Sequence, residues 1–312
     1  MIDKKRLILF LVFAFSLAWI TALVIYLTGG LRASPVVLPE LNLSLAFVLL
    51  ATVYMWSPAI ANVLTRILTR EGWQSVYIKP NLKRTWRYWA SAWLVTPLLI
   101  LLGAIIYFVL FSHHFDPSLT ILRQQLTADG ASVTGSSILS LVLFQIAFAI
   151  AIAPIVNGFS TFGEEFGWRA YLLQKLLPLG ERKALLVHGI IWGVWHWPVI
   201  AMGHNYGFGY IGAPWLGLLA MVWFTILVGV FFGWLALRAE SVWPAVIGHG
   251  ALNGFAAISV YAIRGNPSPL LGPLPVGVVG SLPFLFFAVW ALTRGQKKLP
   301  AEALSENLHQ SE

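Results

Sequence analysis

Three short segments of this chain hold polar side chains within apolar surroundings. The first reads Gly163-Glu164-Glu165-Phe166-Gly167-Trp168-Arg169. The second is Trp192-Gly193-Val194-Trp195-His196, and the third is His249-Gly250-Ala251-Leu252-Asn253. A carboxylate activates water as a general base. An imidazole shuttles a proton or binds a metal, and a carboxamide donates to an oxyanion. One acid, two imidazoles and a carboxamide make a hydrolytic set. Each segment alone has a blander reading. Two adjacent glutamates can simply neutralise Arg169 and Lys175. A His–Asn pair one turn apart can be a helix–helix hydrogen bond. His196, beside Pro198, can bond a backbone carbonyl.

Spacing divides the roles. Glu165 and Arg169 are four apart and share a helix face, with the acid on the favoured amino-terminal side. Glu164 is turned about 100° away. Arg169 is therefore expected to neutralise Glu165 while Glu164, lacking a local counter-charge, faces a cavity. His249 and Asn253 also share one face. Gly248, Gly250 and Gly254 around them allow another helix to approach closely. Trp168, Trp192 and Trp195 flank the polar groups and are candidate walls of a substrate groove. His188, nearer the end of its helix, is assigned to the membrane interface, and Asn157 to carbonyls freed by Pro154.

The elements that position these groups are membrane helices. The chain has 312 residues, of which 58% are hydrophobic and 10% charged; its mean hydropathy is +0.78. A soluble domain carries about a quarter charged residues. The expected fold is an all-α polytopic membrane protein whose polar centre is built from the later helices. About eight runs have the roughly 20 residues that a span needs: 7–28, 44–65, 89–111, 137–163, 184–202, 214–237, 242–262 and 270–293. The expected organisation is residues 1–136 with three helices and an external loop, a core over 137–262, a last helix within 263–294, and a cytosolic tail at 295–312.

Charge supports the topology. With both termini in the cytosol, all of the 20 Lys and Arg except Arg32, Arg123 and Arg264 fall on the cytosolic side, as the positive-inside rule requires. The expected location is the cell (inner) membrane. Anionic lipid headgroups account for the net charge of +8, so no nucleic acid is implied. There is no cysteine, which excludes disulfides and Cys-ligated metals. Leu7 to Leu27 is longer than a signal-peptide core and reads as a retained span.

Depth brings the three segments to one level. Glu164 lies 11 residues before Lys175, about 16 Å. His196 lies 12 residues past Ala184, about 18 Å. His249 lies 11 residues past Arg238, about 16 Å. Residues 137–177 are too long for one straight span. Pro154, Gly158, Gly163 and Gly167 offer breaks, and the expectation is a span ending near Gly158–Gly163, followed by an oblique helix from Glu164 to Leu177.

In this order the segments resemble the CPBP family of intramembrane proteases, which includes the CAAX prenyl endopeptidases. The family pattern is Glu-Glu-x-x-x-Arg, aromatic-x-x-x-His and His-x-x-x-Asn. Here it reads Glu164-Glu165 to Arg169, Trp192 to His196, and His249 to Asn253, with Trp192 where Phe is usual. The resemblance covers about 137–262. It implies peptide-bond hydrolysis within the membrane near the cytosolic face. Glu164 would activate water and His196 would help hold it. His249 and Asn253 would stabilise the oxyanion, with Glu165 and Arg169 supporting the site. No cofactor is expected. The alternative is Zn²⁺ on Glu164, His196 and His249, although the HExxH spacing is lacking. The implied partner is a membrane protein or peptide in the lipid bilayer. Prenylated proteins are one substrate class, and some relatives are linked to bacteriocin production or immunity. The sequence sets neither substrate nor oligomeric state. Two other readings use the same residues: a non-proteolytic membrane peptide- or lipid-binding protein, and a proton-coupled transporter. Against the transporter, no pair of broken helices recurs in matching halves.

Overall fold

The computed structural model describes residues 2–74, 76–128 and 135–294; the expected tail at 295–312 lies outside them. The fold is all-α and polytopic. Its helices are α1 (Lys4–Leu27), α2 (Leu45–Leu68), α3 (Leu82–Leu110), α4 (Thr120–Ala128), α5 (Gly135–Ala151), α6 (Ala153–Leu179), α7 (Glu181–Trp195), α8 (Trp197–Ala201), α9 (Trp215–Ala239), α10 (Trp243–Phe255) and α11 (Leu282–Thr293). A small antiparallel pair, Val36–Leu38 with Leu43–Ser44, sits between α1 and α2.

Among the described residues, five helices are long and apolar enough to cross a membrane, namely α1, α2, α3, α9, and α10 taken with its helical continuation to Ala262, or six if the bent pair α5–α6 counts as one. The expected spans at 184–202 and 270–293 correspond to shorter helices, α7 with α8 and α11. α9 is the central element. Of its most apolar stretch, 72% is inside the protein, against 33% for α1, α2 and α3, so those three present most of their surface outward.

The break before the glutamates is not where the glycines suggested. α5 and α6 meet at a 44° bend around Ile152, and α6 then runs unbroken through Glu164. Proline explains the position. Pro154 occupies the first turn of α6, where a missing N–H costs nothing and the fixed φ suits a helix start. The glycines serve contact instead. A Cβ on Gly163 would lie 2.7 Å from the Met55 carbonyl oxygen, and one on Gly167 would collide with Pro58. α6 thus lies directly on the α2 backbone. Gly250 likewise brings α10 against Pro154, and Gly189 and Gly193 bring α7 against α9 at Ile226 and Val222.

A second correction concerns His249. The stretch from Arg238 to His249 is not one helix. α9 ends at Ala239, Glu240 takes a left-handed conformation at φ 49°, and α10 starts at Trp243. His249 is therefore six residues into its helix, about 9 Å from its start. The turn is held by the segment between α2 and α3. The Tyr77 carbonyl accepts from the Val242 N–H at 2.7 Å, and the Ile78 carbonyl accepts from the Trp243 indole at 2.7 Å.

Candidate active site

Glu165 joins two helices through one oxygen. Its Oε1 accepts from Arg169 Nη1 at 2.8 Å and from His249 Nδ1 at 2.8 Å. Glu165 and Arg169 are both fully buried, so each charge needs the other. Arg169 lies in a widened π turn at Trp168–Leu172, a feature that often marks functional sites. Lys175 takes no part. It binds Glu71 at 2.5 Å, beside Arg6 and Arg66. The bland assignment of both glutamates to Arg169 and Lys175 is thereby removed.

Glu164 is buried too, at 3% exposure. It is not unpaired as spacing suggested. Its Oε2 accepts from Trp192 Nε1 at 2.7 Å, which leaves Oε1 for another donor. Trp192 is the hub of the centre. The Arg169 guanidinium sits 4.1 Å from its ring centre. The His196 and His249 rings lie 5.6 and 5.5 Å from it. Glu164 lies within electrostatic reach of His249, and His196 within reach of His249 in turn.

Both histidines are oriented by their Nδ1 atoms. His196 Nδ1 donates to the Trp192 carbonyl at 2.8 Å. His249 Nδ1 donates to the Glu165 carboxylate. A carbonyl and a carboxylate only accept, so each Nδ1 carries a proton and each Nε2 is left for other partners. His196 stands at the break between α7 and α8, where Pro198 supplies no N–H. The nearby Trp195 carbonyl instead accepts from Tyr54 Oη at 2.7 Å and Trp19 Nε1 at 3.2 Å. α1 and α2 thereby fix the end of the helix that presents His196.

The remaining expected residues are placed as follows. His249 is buried, His196 is half-buried, and Asn253, one turn beyond His249, is exposed. The centre therefore passes from a buried side at Glu164, Glu165 and Arg169 to an open side at Asn253. Trp168, Trp192 and Trp195 are at most 2% exposed, with Trp168 and Trp195 packed edge to face at 5.6 Å. They are interior: Phe10 of α1 packs on Trp168 at 5.7 Å, Tyr54 of α2 packs on Trp195 at 4.4 Å, and Arg169, His196 and His249 surround Trp192. His188 is fully buried rather than interfacial, since α9 lies across α7 there. Asn157 reaches across to the Gly250 carbonyl at 3.0 Å and does not serve its own helix. Tyr54 and Phe232 were not singled out in the sequence. Phe232 stacks on His249 at 5.8 Å. No pattern in the sequence marked either one, because their partners are distant in the chain.

Among the described residues, no three His, Asp or Glu side chains gather closely enough to hold one metal ion. Glu164, His196 and His249 do not form such a group.

Residues 139–255 match the family model described as type II CAAX prenyl endopeptidase, Rce1-like. A curated relative, "CAAX prenyl protease 2" of Methanococcus maripaludis, is 32% identical over 94 residues. That segment covers 29% of this chain and 34% of the relative, so the likeness spans about a third of the relative's length. All three polar segments lie inside the 139–255 match.

Proposed function

We propose that the chain, whose residues 139–255 match the Rce1-like type II CAAX prenyl endopeptidase model, hydrolyses a peptide bond of a membrane-embedded protein or peptide. Glu164 is the base. The Trp192 indole holds Oε2, and Oε1 takes a proton from water. The water oxygen bonds to the peptide carbonyl carbon, and His196 Nε2 helps hold that water. With both its ring nitrogens protonated, His249 donates from Nε2 to the oxyanion while Nδ1 stays on Glu165. Asn253 adds a second donor. The C–N bond then breaks, and Glu164 returns its proton to the leaving amine. Glu165 and Arg169 hold His249 in place.

One observation carries this reading. Glu164 is buried with a single donor on one oxygen, beside a second carboxylate already committed to Arg169 and His249. Glu165 is neutralised by Arg169, whereas Glu164 has no ion pair with a Lys or Arg among the described residues and keeps its carboxylate for a proton. The reading also needs no metal, so cleavage is expected to persist in a strong chelator. The charge bias of the ends supports a site near the cytosolic face of the cell membrane.

Glu164→Gln and His249→Ala are each expected to abolish cleavage of a membrane peptide, with melting temperature and expression maintained. Cleavage at the wild-type rate by either folded variant removes the catalytic assignment.

A further inference from the structure

His188 has no role in the reaction described above, yet it is fully buried. It lies on α7 one turn before Trp192, with ring centres 6.4 Å apart. Neither of its nitrogens has a hydrogen-bond partner among the described residues. It lies within electrostatic reach of Arg169, whose guanidinium rests on the same Trp192 ring. Arg169 is also under-used. Its Nε and Nη2 are buried without partners, as is Glu165 Oε2. Gly229 of α9 presents no side chain to the imidazole; its Cβ position would lie 3.5 Å from His188 Nδ1.

Buried polar atoms of this kind persist where something satisfies them. The mixture of types identifies the partner. Arg169 offers only donors, Glu165 Oε2 only accepts, and a neutral imidazole does one of each. An anion would satisfy the donors alone and a cation the acceptors alone. Water does both, and it is held where two to four polar groups converge.

We propose that His188, Arg169 and the free oxygen of Glu165 form a buried water site beside the Glu164–Trp192 pair, with His188 as the residue that keeps water there. Resting on the endopeptidase reading, the site supplies the hydrolytic water in apolar surroundings. His188 is then a positioning residue, acting through water on Glu164 and never touching substrate.

X-ray radiolytic footprinting of the full chain in detergent tests the site directly, because radicals formed from bound water oxidise the nearest ring. Trp192 is expected to be labelled despite its 2% exposure, with the exposed Trp73 as dose reference. Labelling is expected to fall at least fivefold in His188→Leu and to return in His188→Gln. An unlabelled Trp192 in the wild-type chain overturns the site whether or not the variants fold, as does unchanged labelling in a folded His188→Leu. The supply role is read from kinetics: kcat falls at least fivefold in His188→Leu with KM unchanged, and recovers in His188→Gln. Equal kcat in the three proteins overturns that role. A wild-type chain with labelled Trp192 that cleaves nothing sinks the endopeptidase reading and supports the water site.

Discussion

At the scale of single residues, the centre is built around an indole. Trp192 gives its one N–H to Glu164 and lends its face to Arg169 and two histidines. A charged hydrogen bond of this type contributes about 1.5–3 kcal/mol. If it is expressed in the transition state, its loss lowers the rate by roughly tenfold to a hundredfold. Trp192→Phe keeps the ring and removes the donor, so kcat is expected to fall by that factor with little change in stability. A Tm drop matching the loss of rate would instead make Trp192 a packing residue. Arg169 is the opposite case. Arg169→Met leaves Glu165 buried without its cation, and such losses cost about 3–5 kcal/mol. That variant is expected to unfold at lower temperature, or to fail to accumulate, in a thermal shift or expression assay. That Glu164, Glu165, Arg169, His196 and His249 would gather in one interior region was legible in the sequence, because carboxylates and imidazoles are rare in apolar helices. The Glu165–Arg169 pair was legible too, since four-residue spacing is local. That Trp192 donates to Glu164, and that His188 is interior, depended on partners 28 or more residues away, which spacing does not encode.

At the scale of elements, the same contrast holds. Helix existence followed from apolar length. The bend did not, because proline and glycine compete as breakers and only packing decides between them. Pro154 won because a helix can start there at no cost. Gly163 and Gly167 lie where α6 touches α2. The π turn at Trp168–Leu172 leaves no mark in composition. These assignments predict opposite outcomes for one chemical change. In Gly158→Ala the new methyl would lie 3.8 Å from Val246 Cγ1, an ordinary contact. The variant is expected to be neutral or more stable by about 0.5–1 kcal/mol through helix propensity. In Gly167→Ala the methyl would run into Pro58 and must push α6 off α2, at about 1–3 kcal/mol. Thermal denaturation of the two variants side by side checks this. A Gly167→Ala protein as stable as Gly158→Ala would mean that the α2–α6 contact is looser than described.

At the scale of the whole molecule, the centre depends on α10 being held at both ends. At one end the turn at Val242 and Trp243 is bonded to Tyr77 and Ile78. At the other, the chain leaving α10 is sewn to the chain leaving α3. Phe115 bridges Ile263, and the Asp116 N–H donates to the Ala262 carbonyl at 2.9 Å. Asp116 is the knot of that seam. Its carboxylate accepts from the Ser118 and Thr120 N–H groups at 2.9 and 2.8 Å, at the start of α4. Arg264, 62% exposed and 3.8 Å away, adds little. Hydrogen bonds from Thr120 hold the Asp116 carboxyl below the usual aspartate range. A carboxyl whose pKa is lower folded than unfolded stabilises the fold fully above the unfolded value. That stabilisation is lost as pH falls through the folded value. Wild-type protein is therefore expected to lose Tm between about pH 6 and about pH 3, and Asp116→Asn to lose less over the same interval. At about pH 6 the variant starts lower, by roughly 1 kcal/mol for one lost hydrogen bond, because the amide has one acceptor oxygen where the carboxylate uses two. Parallel melting curves for the two proteins across that interval would show that the seam carries no titrating load, and α10 would then owe its outer anchorage to packing alone.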